Sequence, residues 1–416
     1  MTGADLPSLP SPVPGPRSTA WVDRLAAREC PAITARRTRR ARESGVPQDP
    51  IVWARARGAN VEDVDGNIYV DLAAAFGVAA VGHAHPAVTR AVSRQVDALP
   101  HAMGDAFADR TRVELMEALC ARTGMDRAIL GLSGSDAIDA AMKTVVMARA
   151  VTGRPLRVLC LAGGYHGLGS GALPSLGYLR AAMQAPFAPA LSLYADVLPF
   201  HAPLPSLSAY DAVILEPLQG RGGMRELGEA RLAEIHAEAR GRGALVIHDE
   251  IYSGCGRTGA FLSTPQAPDL LCLGKALGGG FPVSACLGTA RVMDAWGNSG
   301  GAAIHTQTFL GHPVGNAAAL ATLPEIDALL PEVRRKGEAL ARACAAVPGV
   351  RRVTGRGLML GVHVDQSLVV TRRLLERGYI VLPCGENAEA LGLTPPFVIT
   401  DAQLEAFVAA LEDCLR

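Results

Sequence analysis

Lysine is almost missing from this sequence. Among 40 basic residues only Lys143, Lys275 and Lys336 are lysines, so chemistry that needs a side-chain amine has three places to occur. Aromatic residues are 5% of the chain, too sparse for platforms that stack single-stranded nucleic acid. Forty acidic residues balance the forty basic ones, so no net field favours nucleic acid or an acidic membrane. The nine cysteines are odd in number and scattered, with no Cys-x-x-Cys pair. That argues against a disulfide framework or a metal cluster and fits a reducing cytoplasm. The longest near-apolar run, Leu72 to Gly82, is too short and too rich in Gly and Ala to span a bilayer. The amino terminus lacks a signal peptide's apolar core. The expected partners are therefore small molecules, with neither nucleic acid nor membrane and no metal site.

What is present is a chain of 416 residues, 49% hydrophobic, enough for a large core or two joined domains. Residues 1–18 are Pro-rich and poor in bulky apolar groups, which predicts a disordered arm. Trp21 to Glu43 reads as a helix with an arginine face through Arg36, Arg37, Arg39, Arg40 and Arg42, expected to face solvent or a second subunit. Strand-like sequence follows, with a hairpin signal at Asp65-Gly66-Asn67. Beyond about residue 100, short apolar runs at Val158–Leu161, Ala212–Leu215, Leu245–His248 and Leu270–Leu273 alternate with helical stretches such as Glu229–Arg240. That alternation predicts an α/β fold, a mostly parallel sheet flanked by helices, whose ligand site lies beyond the carboxyl ends of the strands. After about residue 312, a helical stretch, strand-like segments and a last helix suggest a smaller lobe.

Of the three lysines, Lys143 and Lys336 sit in charged or amphipathic helical sequence, where a solvated surface role is the plain reading. Lys275 follows the apolar run LLCLG and precedes ALGGGFPVSACLG. An amine at a strand end among glycines and apolar residues is partly desolvated, which lowers its pKa and makes it a nucleophile toward an aldehyde. Pyridoxal phosphate is such an aldehyde. It needs a carboxylate beside its ring nitrogen, and Asp249, at the end of the strand-like run ALVIH, is the candidate. A helix-capping or turn aspartate is the plainer alternative. Its phosphate needs backbone N–H groups at a helix start. Gly134 and Ser135 in LSGSDAIDAA supply them, though an ordinary N-cap explains the same residues. Tyr165 and His166 in GGYHG follow a strand and offer a ring to stack on. Packing is the commoner use of a lone Tyr.

Two nucleotide-binding readings fail. Gly254, Gly256 and Gly259 satisfy G-x-G-x-x-G, but the sequence after them has prolines and no helical period, which a dinucleotide fold requires. Ala276 follows Gly274-Lys275, so there is no Walker A motif.

Eight segments occur in one order from about Pro50 to Thr400: GANVEDVDGNIYVDL, VGHAHP, LSGSDAIDAAMK, GGYHG, VILEPLQGRGG, HDEIYSGCGRTGAF, LLCLGKALGGGFPVSACLG and HTQTFLGHPVGNAAAL. Together they resemble the class III (omega) aminotransferases, fold-type I pyridoxal-phosphate enzymes. The resemblance implies a large domain over 96–312 and a smaller α+β domain from both chain ends, 19–95 and 313–416. It implies that Lys275 is the Schiff-base lysine and Asp249 the partner of the pyridine nitrogen. It places Gly134 and Ser135 at the phosphate, and Tyr165 and Ile251 against the ring. His166, Glu216 and Tyr252 would be further cofactor contacts, and Phe76 a substrate contact. Thr308 would reach the phosphate of the neighbouring subunit in a homodimer.

Three departures stand out. Tyr252 replaces a glutamine near the cofactor's 3-oxygen, where a phenol can still hydrogen-bond. Gly392 occupies the position of an arginine that holds the substrate's carboxylate. Arg221 stands where a glutamate usually pairs with that arginine. Either Arg221 now holds the carboxylate, or the site accepts amines or sugars without one and Arg221 turns to solvent. The reaction expected is ping-pong transfer of an amino group. GKALGGGFPVSA also resembles glutamate-1-semialdehyde aminomutases, so an aminomutase is an alternative, as is a racemase or lyase of the same fold. Outside enzymology the rivals are a catalytically silent binding protein and a regulator fused to a DNA-binding segment.

Overall fold

The hairpin signal is realised in the first sheet. In the computed structural model, which describes residues 1–104, 106–150, 153–191 and 194–416, strands β1 (Trp53–Arg57), β2 (Asn60–Asp63) and β3 (Ile68–Asp71) run antiparallel. Gly66 takes φ +89° in the turn, a conformation that suits glycine. The buried Asp63 side chain accepts the N–H groups of Asp65 and Asn67 (both 2.9 Å) and the Tyr69 hydroxyl (2.8 Å).

Residues 1–18, expected as a disordered arm, instead lie against this hairpin. Ser8 exchanges backbone hydrogen bonds with Ile68 at 3.0 and 2.8 Å. Asp5 and Ser11 donate their N–H groups to Asn60 and Asn67. Composition predicted disorder because no apolar pattern was visible, but the arm is held through its backbone, which composition does not report. The expected single helix is also two, α1 (Pro16–Ala26) and α2 (Pro31–Ser44). Pro31 has no N–H to donate, and Cys30 before it is extended (φ −57°, ψ 126°). The Asp65 carboxylate accepts the N–H groups of Arg17 and Ser18 (both 2.8 Å), capping α1 from outside.

The central sheet takes β4 (Arg127–Gly131), β5 (Val158–Leu161), β6 (Ala195–Leu198) and β7 (Ala212–Leu215). A short ribbon, β8 (Leu218–Gln219) with β9 (Arg225–Glu226), precedes β10 (Leu245–Asp249), β11 (Leu270–Leu273) and β12 (Ser284–Gly288). The order is β4-β12-β11-β10-β7-β5-β6. The run from β6 to β11 is parallel, as expected, and β12 is antiparallel to both neighbours. The connection from β11 to β12 is too short for a crossover, so that strand must reverse. Helix α3 (Gly134–Ala148) covers one face, with Ile138, Ala141 and Val145 against Val158, Cys160 and Ile214. Helix α4 (Glu229–Arg242) covers the other, with Leu232 and Ile235 against Leu159, Val213 and Val246. Residues 158 and 160 face one way and 159 the other, the period-two alternation of a strand buried on both sides.

A 33-residue helix, α5 (Pro313–Ala345), leads to β13 (Val350–Arg356), β14 (Met359–Val364), β15 (Tyr379–Ile380), β16 (Leu382–Cys384), β17 (Ala390–Leu393) and α6 (Asp401–Leu415). Strand β15 pairs parallel with β3, which ties the two chain ends into one sheet. Lys143 is exposed, as read from the sequence, and donates to the Ile304 carbonyl at 2.8 Å. Lys336 is not solvated as expected. It is 8% exposed and donates to the Phe397 carbonyl at 3.1 Å, because α5 turns its last third onto the carboxy-terminal lobe. No helix among the described residues is long and apolar enough to cross a membrane.

Asp65→Ala should remove the external cap of α1. We expect a loss of about 1 kcal/mol in thermal or denaturant unfolding, and faster proteolytic cleavage within residues 1–18.

Candidate active site

Two adjacent parallel strands set the site. In the β10–β11 register Asp249 lies opposite Cys272, so the carboxylate that ends β10 and the amine just past β11 emerge at the same sheet edge. The turn after β11 puts Lys275 at φ +43°, a left-handed conformation that costs energy in a non-glycine residue. From this turn the amine reaches the Tyr252 ring. Glu250, the next acid, points the other way and is held by Ser253 Oγ (2.7 Å) and the Ser263 N–H (2.9 Å).

Opposite them, β4 runs into α3. Ser133 caps the helix, and Asp136 accepts the N–H groups of Leu132 (3.0 Å) and Ser133 (2.9 Å). The first N–H groups of a helix have no acceptor within it, so those of Gly134 and Ser135 are available to an anion. A Cβ on Gly134 would stand 3.1 Å from two carbons of Ile251, so glycine keeps this turn close to Ile251.

Gly134, Ser135, Tyr165, His166, Glu216, Arg221, Asp249, Ile251, Tyr252 and Lys275 all line one cavity of about 370 Å³. The sequence had nominated each of them. Phe76, the remaining candidate in this chain's own site, lines an adjoining cavity of about 210 Å³ with Tyr165, Arg221, Tyr252 and Lys275. Thr308 is exposed and lines neither cavity. Its nominated role lies in a neighbouring subunit.

Asp249 is fixed on both oxygens. Oδ2 stands 2.8 Å from His166 Nδ1, and Oδ1 accepts the Ile251 N–H at 3.1 Å. His166 is therefore a partner of the carboxylate, a role its place in GGYHG did not reveal. The Glu216 carboxylate accepts the N–H groups of Tyr165 (2.7 Å) and Gly220 (3.0 Å). Burial, then the charge of Asp249, pushes Glu216 up to about 7. Burial also pushes the Lys275 amine down to about 8, while Asp249 and Glu216 pull it back up and Arg221 and Arg257 assist the fall. Desolvation decides the sign.

Tyr252 has partners within the protein on both its hydroxyl and its ring. The hydroxyl lies 3.1 Å from Thr394 Oγ1, and the ring sits under the amine, with Lys275 Nζ 3.6 Å from its centroid. A Cβ on Gly77 or Gly220 would run into that ring, so two glycines make room for it. Arg221 does not turn to solvent. Its guanidinium stands 5.4 Å from the Tyr165 ring centroid and 5.7 Å from that of Phe76.

Sequence reasoning missed the walls of the second cavity, Met224, Leu382, Pro383, Cys384 and Thr394. These come from the ribbon after β7 and from the carboxy-terminal lobe, and no chemical motif marks them. It also missed Arg257, fully buried within the glycine-rich turn. Arg257 donates to the carbonyls of Pro395 (2.5 Å), Leu358 (3.2 Å) and Gly77 (3.4 Å), with its face on the Phe397 ring. Burial pushes it down to about 10.

A desolvated amine, a fixed carboxylate and open helix-start amides around one cavity fit pyridoxal phosphate. Comparison with known proteins agrees. The family model described as Aminotransferase class-III matches residues 41–415. The acetylornithine aminotransferase of Corynebacterium efficiens is 37% identical, over 87% of this chain and 92% of that protein. The 5-aminovalerate aminotransferase of Pseudomonas aeruginosa is 32% identical, over 90% of this chain and 96% of its own. Among solved structures, ornithine aminotransferase from Toxoplasma gondii superposes with a TM-score of 0.81 at 27% identity, covering 88% of this chain and 90% of that one. An amine transaminase from an uncultivated Pseudomonas species, solved in its PLP-bound form, gives 0.80 at 26% identity, covering 88% and 95%.

Only the neutral amine attacks an aldehyde. With Lys275 held at about 8, capture of pyridoxal phosphate by the apoprotein should speed up as pH rises through about 8 and level off above it. Below that point the rate should fall about tenfold per pH unit. Stopped-flow absorbance of the bound cofactor measures it. A midpoint near that of a free lysine would contradict the desolvated amine.

Proposed function

Because the chain belongs to the class III aminotransferases, we propose how its own residues divide that family's work. The protein is a pyridoxal-phosphate-dependent aminotransferase that passes an amino group from an amine or amino acid to a ketone or aldehyde in two half-reactions. The observation that carries the assignment of roles is the convergence of Lys275, Asp249 and the start of α3 on one cavity.

When bound, pyridoxal phosphate supplies an electron sink for the pair left at the donor carbon. Lys275 would hold the cofactor through its amine and would give way to the donor amine. Once free, Lys275 Nζ would take the proton from the donor carbon and give it up again, general base and general acid in turn. The Tyr252 ring beneath Nζ favours the cationic form of the amine and steadies it between these two tasks. Asp249, oriented by His166 and the Ile251 N–H, would face the pyridine nitrogen and keep it protonated. Gly134 and Ser135 would hold the phosphate at the start of α3. Tyr165 and Ile251, which line the same cavity, would pack against the ring. Glu216 fixes the backbone at Tyr165 and Gly220, which keeps both cavities in shape.

The second cavity takes the substrate. Its polar groups are Arg221, Thr394, Lys275 and the phenols of Tyr165 and Tyr252, and its outer side carries Phe76. The relatives named for acetylornithine and 5-aminovalerate act on amines that also bear a carboxylate. Arg221, with no carboxylate within ion-pair distance among the described residues, is suited to hold that group in this chain. The active form is a homodimer in the cytoplasm, where Thr308 reaches the partner's cofactor phosphate. Met103, Phe107 and Phe309 are exposed in the single chain, and Phe309 stands 5.0 Å from the His101 ring. A partner subunit covering this surface accounts for their exposure. Nine cysteines without a disulfide support the cytoplasmic assignment.

Holoenzyme given one amine donor and no acceptor should complete a single half-reaction, seen as a spectral change equal to one cofactor per site, and then stop. Continuous turnover would make it an aminomutase or racemase. Arg221→Ala should lower kcat/KM about 10- to 100-fold for carboxylate-bearing amines and leave amines without a carboxylate unaffected. Equal kinetics on both would remove Arg221 from the substrate side.

A further inference from the structure

Four consecutive residues after β3 take a left-handed backbone. Ala74, Ala75, Phe76 and Gly77 have φ of +44°, +49°, +64° and +83°. Only glycine adopts that conformation freely, and other residues visit it singly, not in runs. A run of this kind persists only where its surroundings hold it. Asp71, at the end of β3 and fully buried, is the main holder. Its Oδ1 accepts the Ala73 N–H at 2.8 Å, and its Oδ2 accepts the Ala75 N–H at 3.1 Å. His83 Nε2 lies 2.8 Å from the same Oδ2. His83 in turn exchanges main-chain hydrogen bonds of 2.9 Å with Gly58, which ties the carboxylate to the corner between β1 and β2. From the other side, Thr394 Oγ1 donates to the Ala73 carbonyl at 3.1 Å and Arg257 to the Gly77 carbonyl at 3.4 Å.

The turn delivers Phe76. Its ring is 53% exposed, so core packing does not offset the strained position, and it lines the second cavity. What the ring meets is Arg221. The guanidinium carbon stands 5.7 Å from the Phe76 ring centroid and 5.4 Å from that of Tyr165, both within reach of the negative face of an aromatic ring. The Arg221 main chain is fixed separately, since its carbonyl accepts the Gly385 N–H at 2.9 Å. A long side chain on a fixed backbone still has its own rotamers to lose, and here two ring faces restrict them.

We propose that Asp71 and Phe76 are positioning residues for recognition of the substrate's carboxylate. Asp71 clamps the left-handed turn. The turn sets the Phe76 ring against Arg221, and the Phe76 and Tyr165 rings together aim the guanidinium into the second cavity. Without the clamp the alanines return to ordinary backbone, the ring withdraws and Arg221 is free to reach solvent. One buried carboxylate thus offsets the strain of the turn, and the result is a cation oriented before the substrate arrives. This rests on the reading that Arg221 holds a carboxylate of the substrate.

The test uses the holoenzyme and two unreactive probes of nearly equal shape, valerate and valeramide, titrated by calorimetry. The ratio of their affinities reads the preference for a carboxylate. Phe76 is at the surface, so its variants leave the core intact. Phe76→Leu keeps apolar bulk but loses the aromatic face, and should lower the ratio about 3- to 30-fold. Phe76→Tyr should keep it. Asp71→Asn leaves one of the two turn N–H groups without an acceptor and should lower the ratio too. Ala75→Pro, whose ring forbids a positive φ, should do the same without touching the buried carboxylate. Asp71→Asn/Ala75→Gly should recover part of the loss, because glycine takes a left-handed backbone without strain. A general loss of stability produces neither the selectivity for the anion nor this rescue. In turnover, Asp71→Asn should raise KM for a carboxylate-bearing amine by more than it lowers kcat. Equal weakening of both probes, an unchanged ratio, or a double variant no better than Asp71→Asn would overturn the proposal. Arg221→Ala in the same titration separates the two claims. If it leaves the ratio unchanged, the substrate reading of Arg221 fails and the proposal falls with it. If it lowers the ratio while Phe76→Leu does not, the reading stands and the proposal alone falls.

Discussion

Everything in the site depends on keeping one amine out of water. Lys275 leaves the end of β11 in a left-handed conformation, over an aromatic ring and beside two carboxylates. Those carboxylates alone would hold it protonated and inert toward an aldehyde. Burial outweighs them, and the sheet supplies that burial. Five parallel strands with helices on both faces leave the residues at their carboxyl ends close-packed. The acids are managed by the same packing. Asp249 is committed to His166 and to the backbone at Ile251, and Glu216 to two backbone N–H groups. Neither is free to close an ion pair with the amine.

Much of this was legible in the amino-acid order because the relevant signals are local. An apolar run of four or five residues followed by Asp or by Gly-Lys marks a strand end, and a strand end in an α/β sheet is where ligands bind. The glycine and serine before an amphipathic stretch mark a helix start. Lys275, Asp249, Gly134 and Ser135 were recognisable on those terms, and their order along the chain carried the resemblance to a family. The four central strands read from apolar runs also lie within a residue of the observed ones.

The rest was hidden because it depends on distant contacts. Nothing around Lys336 suggests that its ammonium would find the Phe397 carbonyl inside the carboxy-terminal lobe. Tyr252 reads as a glutamine substitute until Gly77 and Gly220 are seen on either side of its ring. The first 18 residues look disordered because their binding to the hairpin uses main-chain groups and three side chains, Asn60 in β2 and Asp65 and Asn67 in the turn. Along α2, the spacing of charges does not tell that Arg37 and Arg39 are the arginines that pair with carboxylates, Glu29 and Glu43.

Arg257 has a consequence for the order in which the molecule comes together. Its three carbonyl acceptors belong to Gly77, Leu358 and Pro395, two of them more than a hundred residues later in the chain than the arginine itself. During synthesis the central sheet, residues 127–288, can be complete while this guanidinium still has only one acceptor in existence. A nascent chain therefore has reason to leave that turn open to water until its last hundred residues leave the ribosome. The second cavity, walled by Leu382 to Thr394, closes in the same late event.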